Sequence, residues 1–165
     1  MSIKPPAIKP EKQQLTELTD SGVKSLPYWL KNGIDKSTVD FCEKFGYCLA
    51  QFIEKYNHKG EPIIKTLSSS QIRKVYGEDK RIEMRVGEND QNLDNYRSDL
   101  LLLKPKMAYS AKRDKTFPAE CLYQIIKCSI DTIDGIENDE EKRKCFDNFC
   151  DLFEAIIAYH RAYEK

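Results

Sequence analysis

The stretch DLLLLKPKMAYSAKR, Asp99 to Arg113, sets the terms on which the rest of the chain is read. Its four consecutive leucines run straight into Lys104, Lys106, Lys112 and Arg113, with Pro105 between the first two lysines. A helix turns ~100° per residue, which puts Leu100, Leu103, Met107 and Ala111 on one face and Lys106, Ser110 and Arg113 on a stripe roughly opposite. A membrane span is excluded, because an apolar run of four leucines is far short of the ~20 residues a span needs. The apolar face therefore meets a core, and the basic stripe meets water or a polyanion. Pro105 removes one backbone donor and crowds the preceding turn, which predicts a kink. Lys104 falls among the apolar residues on the wheel, so its ammonium must come out through the kink or along its own stem.

Working outward, the same helical period recurs on both sides. LSSSQI, Leu67 to Ile72, is a helix start: Ser68 and Gln71 can form a capping box, and Leu67 can staple onto Ile72. The helix that follows turns Ile72, Val75, Tyr76, Ile82 and Val86 inward, and Gly77 within it predicts a break or a close helix contact. Gly87 to Asn92 reads as a polar loop. Phe117 and Pro118 open a helix whose inner face carries Leu122, Ile125, Ser129 and Ile133 to a stop at Gly135. Asn138 caps a last helix that has Asp139, Glu140 and Glu141 in its first turn and Phe146, Phe149, Phe153, Ile156, Ile157 and Tyr163 on a broad face. Upstream, Ser37 to Asn57 predicts a helix with Cys42, Phe45, Leu49, Phe52, Ile53 and Tyr56 on one side. Pro27 to Leu30 forms an aromatic patch, read as a lid on the bundle in preference to a base-stacking platform. Residues 1–26 hold Pro5, Pro6, Pro10 and many polar residues, and predict a mobile tail. No strand alternation stands out. The expected fold is all-α: a single-domain bundle of about five helices over 27–165, behind the tail.

Composition narrows the function. The 165 residues carry 27 basic and 27 acidic side chains, a formal net charge of zero. The balance hides an asymmetry: 68–119 has 11 Lys and Arg against 8 Asp and Glu, while 120–165 has 6 against 11. Any nucleic-acid contact is therefore local. Cys42, Cys48, Cys121, Cys128, Cys145 and Cys150 lack the close pairing of a zinc site, and several fall on helical apolar faces, so they read as buried cytosolic thiols. The polar, proline-containing N-terminus does not read as a signal peptide, and a cytoplasmic protein is expected. His58 and His160 are the two imidazoles, one in a turn and one among aromatic residues near the C-terminus. No phosphate-cradling glycine loop or zinc-protease helix is present. Catalysis, a metal and a cofactor are accordingly not expected. What remains is a basic set: Arg73 and Lys74 just after a capped helix start, then Lys104, Lys106, Lys112 and Arg113. A merely solvated face is the alternative, but these residues flank apolar runs, Tyr109 stands among the lysines, and Ser68 to Ser70 suit a phosphate.

Three motifs in order, SSSQIRKVYG, LLLLKPKMAYSAKR and FCDLFEAIIAYHRAY, resemble the small subunit of the type III-A CRISPR effector, the Csm complex. The resemblance covers roughly residues 64 to 163. It implies a non-catalytic helical bundle that stacks in several copies beside backbone subunits, next to the large subunit. There it follows the duplex between CRISPR RNA and target RNA in antiviral defence, with basic residues on phosphates. Arg73 matches the arginine of the first motif, and Lys104, Lys106 and Arg113 match basic positions of the second. Lys112 stands where the family pattern has glycine, and either adds a phosphate contact or points to solvent. The competing reading is a helical adaptor that binds protein and no RNA.

Overall fold

The computed structural model describes residues 3–88 and 93–165. Among them are six α-helices and one short hairpin: α1 (Lys12–Asn32), α2 (Lys36–Gln51), β1 (Ile53–Tyr56), β2 (Pro62–Ile64), α3 (Ser69–Glu88), α4 (Arg97–Asp114), α5 (Phe117–Asp134) and α6 (Asp139–Tyr163). A 3-10 turn, Leu93–Tyr96, leads into α4. The all-α reading holds, with one helix more than expected.

The extra helix lies where a mobile tail was expected. In α1, Leu15, Thr19, Gly22, Leu26, Trp29 and Leu30 are buried at helical spacing and pack on α5, α6 and α2. The tail over 1–26 is thus corrected from Lys12 onward. Composition misread it because two of the buried positions are small or polar. Thr19 donates its hydroxyl to the Leu15 carbonyl at 2.7 Å, and a Cβ on Gly22 would stand 2.5 Å from the Phe41 ring. Pro27 leaves the Val23 carbonyl without its helical donor, and the Cys128 thiol of α5 donates to that oxygen at 3.6 Å. The aromatic patch is the last turn of α1: Trp29 and Leu30 pack inward, and Tyr28 faces solvent. Even the chain before α1 is held, since the Pro10 carbonyl accepts from Ile53 N at 2.7 Å and the Lys4 carbonyl from the Tyr163 hydroxyl at 3.2 Å.

α2 begins on a capping box, with Asp35 accepting from Thr38 N at 3.0 Å, and ends at Gln51, short of the expected Asn57. Phe52 turns extended, and its carbonyl accepts from Lys65 N at 2.9 Å. These two backbone hydrogen bonds, from Ile53 to Pro10 and from Lys65 to Phe52, recruit Ile53 to Tyr56 into the hairpin. Ile53 and Tyr56 therefore leave the helical face assigned to them. His58 lies in the hairpin turn.

α6 is the axis of the bundle, with Phe146, Phe149, Phe153, Ile156 and His160 fully buried. α2 crosses it at Gly46, where a Cβ would meet the Ile156 carbonyl oxygen at 2.8 Å. His160 donates from Nε2 to the Leu67 carbonyl at 2.7 Å, pinning α6 to the start of α3. α4 packs on α3 along one flank and on α5 along the other. The six cysteines are free thiols; burial pushes Cys42 and Cys48 up to about 12, Cys48 with a further rise from Cys121 beside it. No helix among the described residues is long and apolar enough to cross a membrane.

Candidate nucleic-acid interface

The basic residues of α3 take their direction from the helix start. Ser68 Oγ accepts from Gln71 N at 3.3 Å and Gln71 Oε1 accepts from Ser68 N at 2.7 Å, the reciprocal pair that the local sequence demands. Leu67 and Ile72 are both buried, as a staple requires. With the first turn anchored, the helical period carries Ile72, Val75, Ile82 and Val86 into the core and leaves Arg73, Lys74 and Arg81 outside. Gly77 neither breaks the helix nor touches a neighbour: a Cβ there would meet nothing within 4 Å.

α4 supplies the other side. Leu100, Leu103 and Met107 are buried and Ala111 is half-buried, so the apolar face runs as read, and the helix continues through Pro105. The loop expected at Gly87 to Asn92 lies partly outside the described residues; Gly87 and Glu88 still belong to α3.

Packing of α3 on α4 opens a cleft of about 450 Å³ whose walls carry Arg73, Lys74 and Arg81 from one helix and Lys106 and Ser110 from the other, with Gly77 on its wall. Among the described residues one acid lines the cleft with these cations. Glu78 receives Lys106 Nζ at 3.2 Å and Arg81 Nη2 at 3.4 Å. Exposed pairs of this kind are worth ~0–1 kcal/mol, so a phosphate can replace Glu78 at small cost.

The remaining expected residues lie elsewhere. Lys104 comes out along its stem, as the wheel required, but on the α5 flank, where it is bonded to Asp131. That carboxylate holds its ammonium above the usual lysine range. Arg113 sits at the end of α4, its guanidinium 5.8 Å from the Tyr109 ring centre and 3.4 Å from Asp114. Lys112 lines a second cleft, of about 670 Å³, with Lys12, Lys65, Lys115 and Phe117. There Lys65 pairs with Glu54 at 3.4 Å and the Lys12 ammonium lies 5.5 Å from the Phe117 ring centre. Sequence reasoning missed Arg81, Lys12, Lys65 and Lys115. Arg81 was within reach, two helical turns after Arg73 on the same face. Lys12 was hidden by the tail reading, and Lys65 and Lys115 come from loops that only the fold brings together.

The first cleft combines four cations, one hydroxyl and a glycine without a side chain with the Glu78 carboxylate and an apolar floor of Val75, Leu103 and Met107. A family model described as Csm2 Type III-A matches residues 46–165. The chain belongs to the Csm2 family. It is a type III-A CRISPR effector small subunit, a component of a multi-subunit complex. The match takes in both walls of the α3–α4 cleft and extends N-terminally to Gly46, at the α2–α6 crossing. α1, and with it Lys12, lies outside the matched region of this Csm2 chain. No curated protein and no solved structure gives a match.

Proposed function

We propose that this subunit is non-catalytic and binds the phosphate backbone of the CRISPR RNA–target RNA duplex through the α3–α4 cleft. It stacks with further copies of itself beside the backbone and large subunits, and works in the cytoplasm in antiviral defence. The observation that carries the reading is convergence: Arg73, Lys74, Arg81 and Lys106 come from two separated stretches to one concave surface against a single carboxylate, Glu78. Lysine and arginine side chains that engage phosphates bind the backbone and carry no sequence information. Arg113 and Lys112 lie further along α4 and extend the contact, while Lys104, engaged with Asp131, contributes least. The two histidines support the non-catalytic part, since His58 lies in the hairpin turn and His160 is bonded inside the bundle.

Binding of an RNA duplex, measured against salt, tests the reading. At ~0.7–0.9 counterions per phosphate contact, four cleft cations give a log–log slope of roughly −3 to −4. Affinity should not change between unrelated duplexes of equal length. A slope near zero would replace RNA binding with the protein adaptor.

A further inference from the structure

Asp79 is the buried charge for which the fold gives no account. It sits on the inner face of α3 at 1% exposure, and its Oδ2 has no hydrogen-bond partner among the described residues. Its other oxygen, Oδ1, accepts the Cys150 thiol of α6, at 3.7 Å. An unpartnered carboxylate oxygen in a core costs several kcal/mol unless something supplies positive charge or a proton. Glu83, four residues on and hence on the same face of α3, brings a second carboxylate to the same point. The potential ligand atoms of Asp79, Glu83 and Cys150 all lie within 4.8 Å of one another.

We infer that Asp79, Glu83 and Cys150 form a binding site for one borderline-soft divalent cation of the zinc class, bridging α3 to α6. The donor set argues for the ion: a thiolate and two carboxylates select zinc over the all-oxygen ions magnesium and calcium. The geometry argues for the number of ligands. Metal–sulfur and metal–oxygen bonds of ~2.3 and ~2.0 Å at a tetrahedral angle separate the two donor atoms by ~3.5 Å. The Cys150 Sγ to Asp79 Oδ1 distance is 3.7 Å, so the buried pair is already set to that span. Two ligands are buried, and the third, Glu83, has its side chain 34% exposed, which gives an ion a way in and leaves a fourth position for water.

The charges around the site point the same way. Asp147, Asp151 and Glu154 of α6 lie around it; Arg143 pairs with Asp147 at 3.1 Å, and Lys80 lies 3.4 Å from Glu83 and 3.8 Å from Glu154. Lys80 reaches the rim and leaves Asp79 Oδ2 alone; when Glu83 turns to the ion, Lys80 keeps Glu154 and the Tyr76 ring, 5.5 Å away. Burial and the Glu83 carboxylate push Asp79 up to about 7, and burial with Asp79 beside it pushes the Cys150 thiol up as well. A bound divalent ion favours the anionic form of both ligands, so binding releases the thiol proton and any proton held by Asp79. The site is remote in role from the cationic cleft and needs no RNA.

The full chain, stripped with a chelator and kept reduced, is titrated with Co²⁺ and then Zn²⁺. One equivalent of Co²⁺ should bind with a thiolate-to-cobalt charge-transfer band, Zn²⁺ should displace it, and Zn²⁺ should raise the melting temperature. Cys150→Ser should abolish the band, and Cys145→Ser should leave it intact. Glu83→Gln sits at the mouth and keeps the fold, so it should weaken binding ~tenfold or more with an unchanged helical spectrum, and it decides the matter if Cys150→Ser fails to fold. Absence of the band from the parent chain overturns the site. So does a band, or a zinc affinity, that Glu83→Gln leaves unaltered, since the ion would then sit on other thiols.

Discussion

Single residues of the cleft separate binding from folding. Arg73 and Lys106 project from helix faces that carry no core contacts, so Arg73→Ala and Lys106→Ala should change stability by no more than ~0.5 kcal/mol while RNA affinity falls. Lys104→Ala should do the opposite in kind, because Lys104 is tied to Asp131: a small loss of stability with RNA affinity close to the parent. Leu103→Ala, one residue away and 2% exposed, removes buried methyl groups and should cost ~2–5 kcal/mol. Melting curves beside RNA titrations of the four variants check the set; a Lys106 variant that binds like the parent would move the contact off this cleft. Asp35 offers a test at another residue. The Ser37 hydroxyl and the Thr38 amide hold its carboxyl below the usual carboxylate range. Its folded value lies under its unfolded one, so the stability it adds is complete above the ordinary value and is lost as pH falls through the depressed one. Asp35→Ala should therefore melt below the parent near neutral pH, and the gap should close in strong acid.

Two glycines inside helices make the corresponding point for elements. Gly46 lies where α2 crosses α6, and an added methyl would stand 2.8 Å from the Ile156 carbonyl oxygen and 2.9 Å from the His160 amide nitrogen. Neither backbone atom can swing aside as a side chain would. Gly46→Ala should cost ~1–3 kcal/mol despite the better helix propensity of alanine, because the helices must move apart. Gly77 in α3 faces open space, so Gly77→Ala should gain ~0.5–1 kcal/mol from the same propensity. The Gly77 methyl would also stand on the wall of the cleft, where a phosphate backbone would approach the helix. Urea unfolding of the pair gives the signs; equal effects would mean that the α2–α6 crossing is loose.

For the molecule as a whole, the question is whether α1 folds with the rest. Leu15, Leu26 and Leu30 are fully buried against other helices, and Asn148 of α6 donates to the Leu30 carbonyl at 2.7 Å, closing the end of α1. One cooperative transition is expected. Leu26→Ala should shift that whole transition by ~2–5 kcal/mol, seen equally by far-ultraviolet circular dichroism and by the fluorescence of Trp29. A shift in one signal alone would make α1 a separate unit. The same packing explains how a chain of zero net charge presents a basic cleft: α3 and α4 lie side by side and turn their outer faces to one groove.

What the amino-acid sequence determined by itself is what local interactions determine. The Ser68–Gln71 box, the Asn138 cap, the inward faces of α3 to α6 and the apolar side of the leucine run all rest on partners three or four residues apart, and each stands where the sequence places it. The motif resemblance belongs with these, because it too is carried by short stretches. Only the tertiary structure decided the rest. α1 holds its face with a threonine that bonds its own helix and a glycine that matters because Phe41 and Ile125 lie against it, and Phe52 leaves the helix because Lys65 bonds its carbonyl and Pro10 accepts from the next amide. Six basic residues that read as one set part into an α3–α4 cleft, an α5 ion pair, a second groove and, for Arg113, the Tyr109 ring at the end of α4, since the direction of a basic side chain depends on which helix packs beside it. Gly46 and Gly77 are the same residue on the same kind of helix. They differ in what stands opposite, and that contact comes from more than a hundred residues away in one case and from solvent in the other.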